Sequence, residues 1–378
     1  MPRLLLVTTV AVTLRSFLLP FAEHYRARGW RVEAMANGVS ACELCRQAFD
    51  AVWEVSWSRN PVSALLDGAA RRRVREVCAQ GRYDIVHVHT PVAAFVTRAA
   101  LRDALPRPRV VYTAHGFHFY RGGPFWKNAV FRLAERLAGR WTDYLIVIND
   151  EDLAAAQRLR LVQPDCVVYM PGIGIDREAY SAKRVMLRDA LRVRTEMGLR
   201  ADDPLVVVVG ELSRGKRPQD ALAALAVMRN RACHMAFAGD GPLRECLQRR
   251  AIAMGVARRV HWLGQRGDVP ALLRAAQASL LASEREGLAR SVMEALSLEV
   301  PVVGADSRGI RDLLADGCGL LVKVGDTLGM ARALDWVLDN PEQAHDMARR
   351  GRDRLVEHDI ANILHLHDLL YGKALETR

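Results

Sequence analysis

The chain of 378 residues is too long for one ordinary hydrophobic core and suits two domains of about 150–200 residues each. With 50% hydrophobic and 26% charged residues it has the balance of a folded globular protein and excludes a disordered one. A net charge of +11 predicts a surface that attracts anions, whether nucleotides, nucleic acid or acidic lipid, and no apolar run approaches the roughly 20 residues that a spanning helix needs.

The first predicted strand covers residues 4–9. It has little basic lead, no long apolar region and no clear cleavage site, so it is read as a strand and not as a signal peptide, and the expected location is the cytoplasm. Further strands are predicted at 31–36, 84–89, 109–113, 144–148 and 167–170, with helices at 17–28, 64–80 and 128–140 between them. In the second half strands are expected at 205–210, 234–239, 260–263, 278–282, 302–305 and 320–322, separated by helices such as 220–229, 243–253 and 291–298. The polar stretch 177–200 ends the first set, so the break is placed between residues 174 and 204. This alternation predicts an α/β protein of two doubly wound, Rossmann-like domains with parallel sheets covered on both faces. The expected bounds are 1–180 and 181–360, with a helix at 361–378 packing back toward the first domain. Ligands are expected beyond the carboxyl ends of the strands, in a cleft between the two sheets. The seven cysteines are scattered and fit reduced thiols, and the CxxC of Cys42 and Cys45 lacks a second ligand pair, so neither metal nor cofactor is expected.

The strongest local feature is the run from Ser283 to Ser297. Glu286 and Gly287 follow a strand and are expected to open a helix with Glu294 two turns inside it, which puts the carboxylates at most about 12 Å apart. That is about the span from hexose to ribose in a nucleotide sugar. The helix N-terminus between them would hold a pyrophosphate on the amides of Gly287, Leu288 and Ala289. Glu294 lies among Val292, Met293, Ala295 and Leu296, and a carboxylate in such company needs partners. Lys216 and Arg214 sit in a loop between a strand and a helix, where a cation can reach a phosphate. Gly239 and Gly241 allow a tight turn and close ligand approach. His115 follows an apolar strand and is expected to point into the cleft, while His118 shares its helical spacing. His87 and His89 are expected on opposite sides of their sheet, one lining the cleft and one packed.

These residues resemble the retaining glycosyltransferases of family 4, with the GT-B fold, over nearly the whole chain. The resemblance is carried by the segments 209–216, 238–243, 283–294, 301–306 and 308–313, and by 89–92, 113–120 and 171–176, which look like the branch that builds bacterial surface polysaccharides. It implies an acceptor-binding first domain and a donor-binding second one. It also implies that Glu286 contacts the donor sugar, Glu294 the ribose and Lys216 the diphosphate, with His115 close to the transferred sugar. Glu211 stands where many members carry an arginine, which leaves Lys216 and Arg214 with the charge. The segment Thr8 to Thr13 replaces the usual Gly-Gly loop.

The reaction implied is metal-independent transfer, with retention, from a nucleotide-diphosphate sugar. The expected donor is UDP-linked, with N-acetylhexosamine as one option, and the acceptor a lipid-linked saccharide or oligosaccharide. Basic residues Arg71, Arg72, Arg73, Arg75, Arg121, Lys127, Arg132, Arg136 and Arg140, with Phe125 and Trp126, suit peripheral binding to an anionic inner membrane face. Two alternatives fit parts of the sequence. A sugar-nucleotide epimerase on the same fold needs no acceptor. A basic nucleic-acid-binding protein would use the +11 charge but lacks a binding module.

Overall fold

A computed structural model describes residues 1–57, 68–120, 123–181 and 183–376. These fall into two compact units, one formed by Met1–Gly174 together with the segment from Ile360 onward, the other by Ile175–Asp359.

The first unit holds seven strands: β1 (Arg3–Val10), β2 (Arg31–Asn37), β3 (Ala51–Glu54), β4 (Ile85–His89), β5 (Arg109–Ala114), β6 (Tyr144–Val147) and β7 (Val167–Tyr169). All pair in parallel, in the order β3-β2-β1-β4-β5-β6-β7. A parallel strand covered on both faces needs apolar residues at every position, and β1 shows why its run is unbroken. Leu4 and Leu6 enter one core with Val32, Ile85 and Val111, while Leu5 and Val7 enter the other with Val86, Val110 and Leu145. The edge strand β3 was not expected from the sequence. It is four residues long and only half-buried, and Trp53 makes its contact through the indole N–H, which donates to buried Glu33 at 2.7 Å. The first residues of the helix expected at 64–80 lie outside the described residues; its described part is Gly68–Gly81.

The helix Ile360–Glu376 returns to this unit and sends Ile363, Leu370 and Tyr371 into the core beside Phe21 and Tyr25. His24 pairs with Asp368 at 2.9 Å. The chain leaves and re-enters at neighbouring residues. Ile175 forms a parallel bridge with Asp359 and donates its N–H to the His358 carbonyl at 2.9 Å.

The second unit holds β8 (Leu205–Val209), β9 (His234–Ala238), β10 (Val260–Gly264), β11 (Ala278–Leu281), β12 (Val302–Ala305) and β13 (Leu320–Val322). They form a parallel sheet in the order β10-β9-β8-β11-β12-β13. Again the residues alternate between two cores: Leu205 and Val207 face Ala236 and Val302, and Val206 and Val208 face Met235 and Val303. The stretch read as polar linker contains a helix, Leu187–Glu196. Its charged residues hide a narrow buried face of Ala190 and Val193, and Arg194 is itself buried, donating to the carbonyls of Ala275 at 2.7 Å and Arg200 at 2.8 Å.

Each sheet winds outward in both directions from a central pair, β1 and β4 in the first unit and β8 and β11 in the second. At such a reversal the loops leave the sheet in opposite directions and open a crevice beyond the strand ends.

Candidate functional site

In the second unit the loops after β8 and β11 meet at that reversal. After β8, Gly210 donates to the Ala238 carbonyl and Leu212 to the Asp240 carbonyl, both at 3.0 Å, while the Ser213 N–H turns back onto the Glu211 carbonyl at 2.9 Å. The chain then makes a single 3-10 turn, Arg214–Lys216. Glu284, after β11, donates its N–H to the Gly215 carbonyl at 3.0 Å. This tie brings the Lys216 ammonium to 2.5 Å from Glu286 Oε1, with the side chains 34% and 12% exposed. Arg214 and Glu211 are exposed on the same loop.

Three glycines let these loops pass at backbone distance. A Cβ on Gly239 would stand 1.9 Å from the Gly210 carbonyl oxygen, and one on Gly241 would meet the Leu212 carbonyl oxygen at 2.7 Å. Gly309, at φ +75°, lies so close to the Glu286 loop that a Cβ would be 2.5 Å from the Gly287 carbonyl oxygen. That loop is held along its length: Glu286 donates to the Arg308 carbonyl at 3.3 Å and Ala289 to the Gly309 carbonyl at 3.5 Å.

The helix expected to open at Glu286 and Gly287 begins instead at Arg290. Its N-cap residue is Ala289, in extended conformation, because the preceding residues are tied to the loop after β12. Glu294 therefore lies one turn inside the helix and not two, and the amide of Ala289 is directed at a protein carbonyl.

Glu294 is 6% exposed. Its Oε1 accepts from the Tyr180 hydroxyl at 2.8 Å and from Arg290 Nε at 2.9 Å. Burial raises the carboxyl pKa, opposed by Arg290 and by the hydrogen bond from Tyr180. The same carboxylate, after burial, pushes the Tyr180 phenol upward. Arg290, four residues before Glu294, was available to a sequence reader as a helical pair. Tyr180 was not, since 114 positions separate it from its partner.

In the first unit the end of β1 and the residue after β4 also join, with Thr9 and Thr90 hydroxyls 2.7 Å apart. Thr90 holds φ +65°, a strained value for a β-branched residue. Just before it stand His87 and His89, whose ring centroids are 4.1 Å apart. The expectation that they face opposite sides is wrong, because side chains two apart on a strand share a face. His87 is packed, bonded to the Tyr371 hydroxyl at 2.5 Å and the Thr113 hydroxyl at 2.7 Å. His89 Nδ1 meets His115 Nε2 at 2.9 Å, and the two rings stack. His115 thus lies beyond β5, and burial depresses its pKa to about 4. His118 is in a loop and not on a helical face with His115; its ring packs edge-on against Phe131. Cys42 and Cys45 are free thiols with their sulfurs 2.7 Å apart.

Of the basic residues, Arg121 lies outside the described ones. Arg73 spans Glu76 and the Trp53 ring, and Arg75 donates to the Ala100 carbonyl. Phe125 and Trp126 open the helix Phe125–Gly139 and are 85% and 66% exposed. Among the described residues no helix is long and apolar enough to cross a membrane.

The family model described as "Glycosyl transferases group 1" matches residues 191–354, and that of the "Glycosyl transferase 4-like domain" matches residues 14–172. EpsD of Bacillus subtilis (strain 168), assigned as a glycosyltransferase, is 31% identical over 93% of this chain and 91% of its own. The UDP-Gal:alpha-D-GlcNAc-diphosphoundecaprenol alpha-1,3-galactosyltransferase of Escherichia coli is 26% identical over 78% of this chain and 76% of its own. Among solved structures, HepE of Anabaena in complex with UDP-glucose superposes with a TM-score of 0.82, at 20% identity, over 99% of this chain and 100% of that one. That likeness carries the fold, GT-B with two Rossmann-like domains.

Proposed function

The chain belongs to the group 1 glycosyltransferases, and from that premise we propose that it is a retaining, metal-independent enzyme moving a sugar, with an N-acetylhexosamine as one option, from a UDP-linked donor to a lipid-linked or oligosaccharide acceptor in surface polysaccharide synthesis. The observation that carries the reading is the meeting of Lys216 and Glu286 at 2.5 Å across the reversal of the second sheet. A cation and a carboxylate delivered there by two different strands suit a ligand that is anionic at one end and rich in hydroxyls at the other.

In this reading Lys216, with Arg214, turns from Glu286 to the diphosphate and offsets the charge that grows on it as the glycosidic bond breaks. Glu286 accepts from sugar hydroxyls, and Glu294, fixed by Tyr180 and Arg290, accepts from the ribose diol. Gly241 lets backbone approach the nucleotide, and the amides of Gly287 and Leu288 face the phosphates, with the engaged amide of Ala289 behind them. His115 stands close to the transferred sugar, neutral at working pH. The acceptor hydroxyl attacks on the face the diphosphate leaves and gives its proton to the departing phosphate oxygen, so configuration is kept. The first unit takes the acceptor and the second the donor. The lipid carrier in the name of the Escherichia coli relative supports the lipid-linked acceptor, and with it a peripheral position on the inner face of the cytoplasmic membrane.

A thermal-shift panel of nucleotide sugars tests this. A UDP-sugar at about 100 times its Kd should stabilise the protein by about 2.7 kcal/mol. The same ligand should stabilise Glu294→Ala far less; undiminished stabilisation refutes the ribose role. Release of UDP that depends on acceptor, and survives a chelator, separates metal-independent transfer from epimerisation.

A further inference from the structure

The helix Phe125–Gly139 carries several of its large apolar residues on the side away from the core. Its inner face carries Asn128, Phe131, Glu135 and Ala138. Asn128 ties to the Tyr120 and Gly123 carbonyls, and Glu135 takes a hydrogen bond from the fully buried Arg98 at 3.0 Å and one from the Tyr112 hydroxyl at 3.2 Å. These bonds fix the rotation of the helix. The spacing of four, three and four then brings Trp126, Val130, Leu133 and Leu137 onto the opposite face, 66%, 52%, 70% and 41% exposed. Four large apolar side chains in one exposed line are more than the scattered hydrophobes of an ordinary surface.

The C-terminal end of that line runs into a groove of about 720 Å³ between the helix and the segment leading to β7. Leu133 and Leu137 form one wall, and Arg136, Arg140 and Arg160 line it. Among the described residues no carboxylate pairs with any of these three arginines. One acid, the exposed Asp165, lies in the neighbouring segment 160–166. Among the described residues many other arginines meet acids or carbonyls; these three gather at one groove beside an apolar stripe.

We propose that this stripe and groove form a docking surface for a bilayer containing anionic phospholipid, with the stripe entering the acyl boundary and the three guanidiniums taking a headgroup phosphate. Charge complementarity selects this occupant: an apolar partner leaves the arginines desolvated and unpaired, and an acidic soluble protein leaves the stripe without a solvent of its own. Guanidinium forks suit phosphate oxygens in pairs. The proposal rests on the peripheral location stated above and adds the apolar line of Val130, Leu133 and Leu137 and the arginine-lined groove with Arg160.

The full chain is sedimented with vesicles of phosphatidylcholine alone and with phosphatidylglycerol added, alongside Leu133→Glu and the triple variant Arg136→Gln, Arg140→Gln, Arg160→Gln. Binding should need phosphatidylglycerol, be lost in Leu133→Glu, and weaken by about fivefold per arginine removed. Inorganic phosphate at equal concentration should compete weakly, because it cannot seat the stripe. UDP release with a soluble, short-chain acceptor is measured on the same samples and should be unchanged in both variants. Equal binding to both vesicle types, or binding untouched by either variant, overturns the docking surface. Loss of soluble-acceptor turnover in the wild type would instead overturn the enzymatic reading and leave vesicle binding to be judged by itself. Unchanged thermal melting shows that the exposed substitutions have not unfolded the chain.

Discussion

Replacing Lys216 by methionine separates two accounts of its 2.5 Å contact with Glu286. If the pair is only structural, its worth follows from exposure. With the lysine side chain one-third exposed and the contact at a loop surface, the pair is worth about 0–1 kcal/mol. For a unit of this size that lowers Tm by no more than about 2–4 °C. If Lys216 meets the departing diphosphate, the loss is of a charged donor, about 1.5–3 kcal/mol. Donors aimed at developing charge reach about 10²–10³ in rate. The expected result is therefore a small Tm change with kcat/KM down about a hundredfold, most of it in kcat, in a coupled assay of UDP release over a donor series. Glu286→Gln should act in the opposite sense on binding. It releases Lys216 from its carboxylate, so UDP should bind up to about fivefold more tightly while turnover falls. Turnover of Lys216→Met within about threefold of wild type refutes the diphosphate role.

Burial raises the Glu294 pKa, whereas ribose hydroxyls bind the ionised form. UDP affinity should then rise with pH from the ordinary carboxylate range up to the raised value and level off above it; a Glu294→Gln titration that keeps this slope rejects the assignment. The unliganded fold has the opposite trend from this group, because its native state holds the proton more tightly and loses stability as pH rises through the same window. His115, His358 and His367 are held at about 4 by burial, below the unfolded value of about 6.5, so the unfolded chain binds more protons in that interval. Their stability contribution is complete above about 6.5 and is lost as pH falls toward 4, which urea midpoints between about pH 7.5 and pH 5 would reveal; a flat profile contradicts it. Gly309→Ala should cost at least about 1–2 kcal/mol for its left-handed backbone, with added cost from a Cβ at 2.5 Å from the Gly287 carbonyl oxygen, and should shift Glu286. Gly215→Ala, with nothing within 4 Å of its Cβ, is the control, and equal melting of the two variants defeats the packing argument.

Strands were legible because a parallel strand buried on both faces must be apolar without interruption, as in Leu205–Val209. The edge strand Ala51–Glu54 lacks that requirement and left no such mark. The helix Leu187–Glu196 was hidden by arginines, one of which is buried by its stem and its carbonyl contacts. At the site, Lys216 and Glu286 could be proposed from loop position, but not their meeting, which depends on the order of strands in the sheet. The helix start was misplaced because Gly287 opens no helix when the loop after β12 claims the backbone around it. The side of β4 occupied by His87 and His89 was a matter of period, and a strict count by two gives it correctly. Tyr180 reaches Glu294 only through the tertiary fold.

The bridge between Ile175 and Asp359 has a consequence for how the gene product can be divided. A body entered and left at adjacent residues is topologically an insertion, and the ends it leaves in its host are already neighbours: a Cβ on Gly174 would touch Ile360 at 2.7 Å. Residues 175–359 can therefore be cut out as one continuous polypeptide, and the host rejoined by a short turn, without threading or permuting either piece. If the second unit takes the donor, as proposed above, that half of the chemistry would thus be portable, free to be assayed or transplanted independently of the acceptor its host binds.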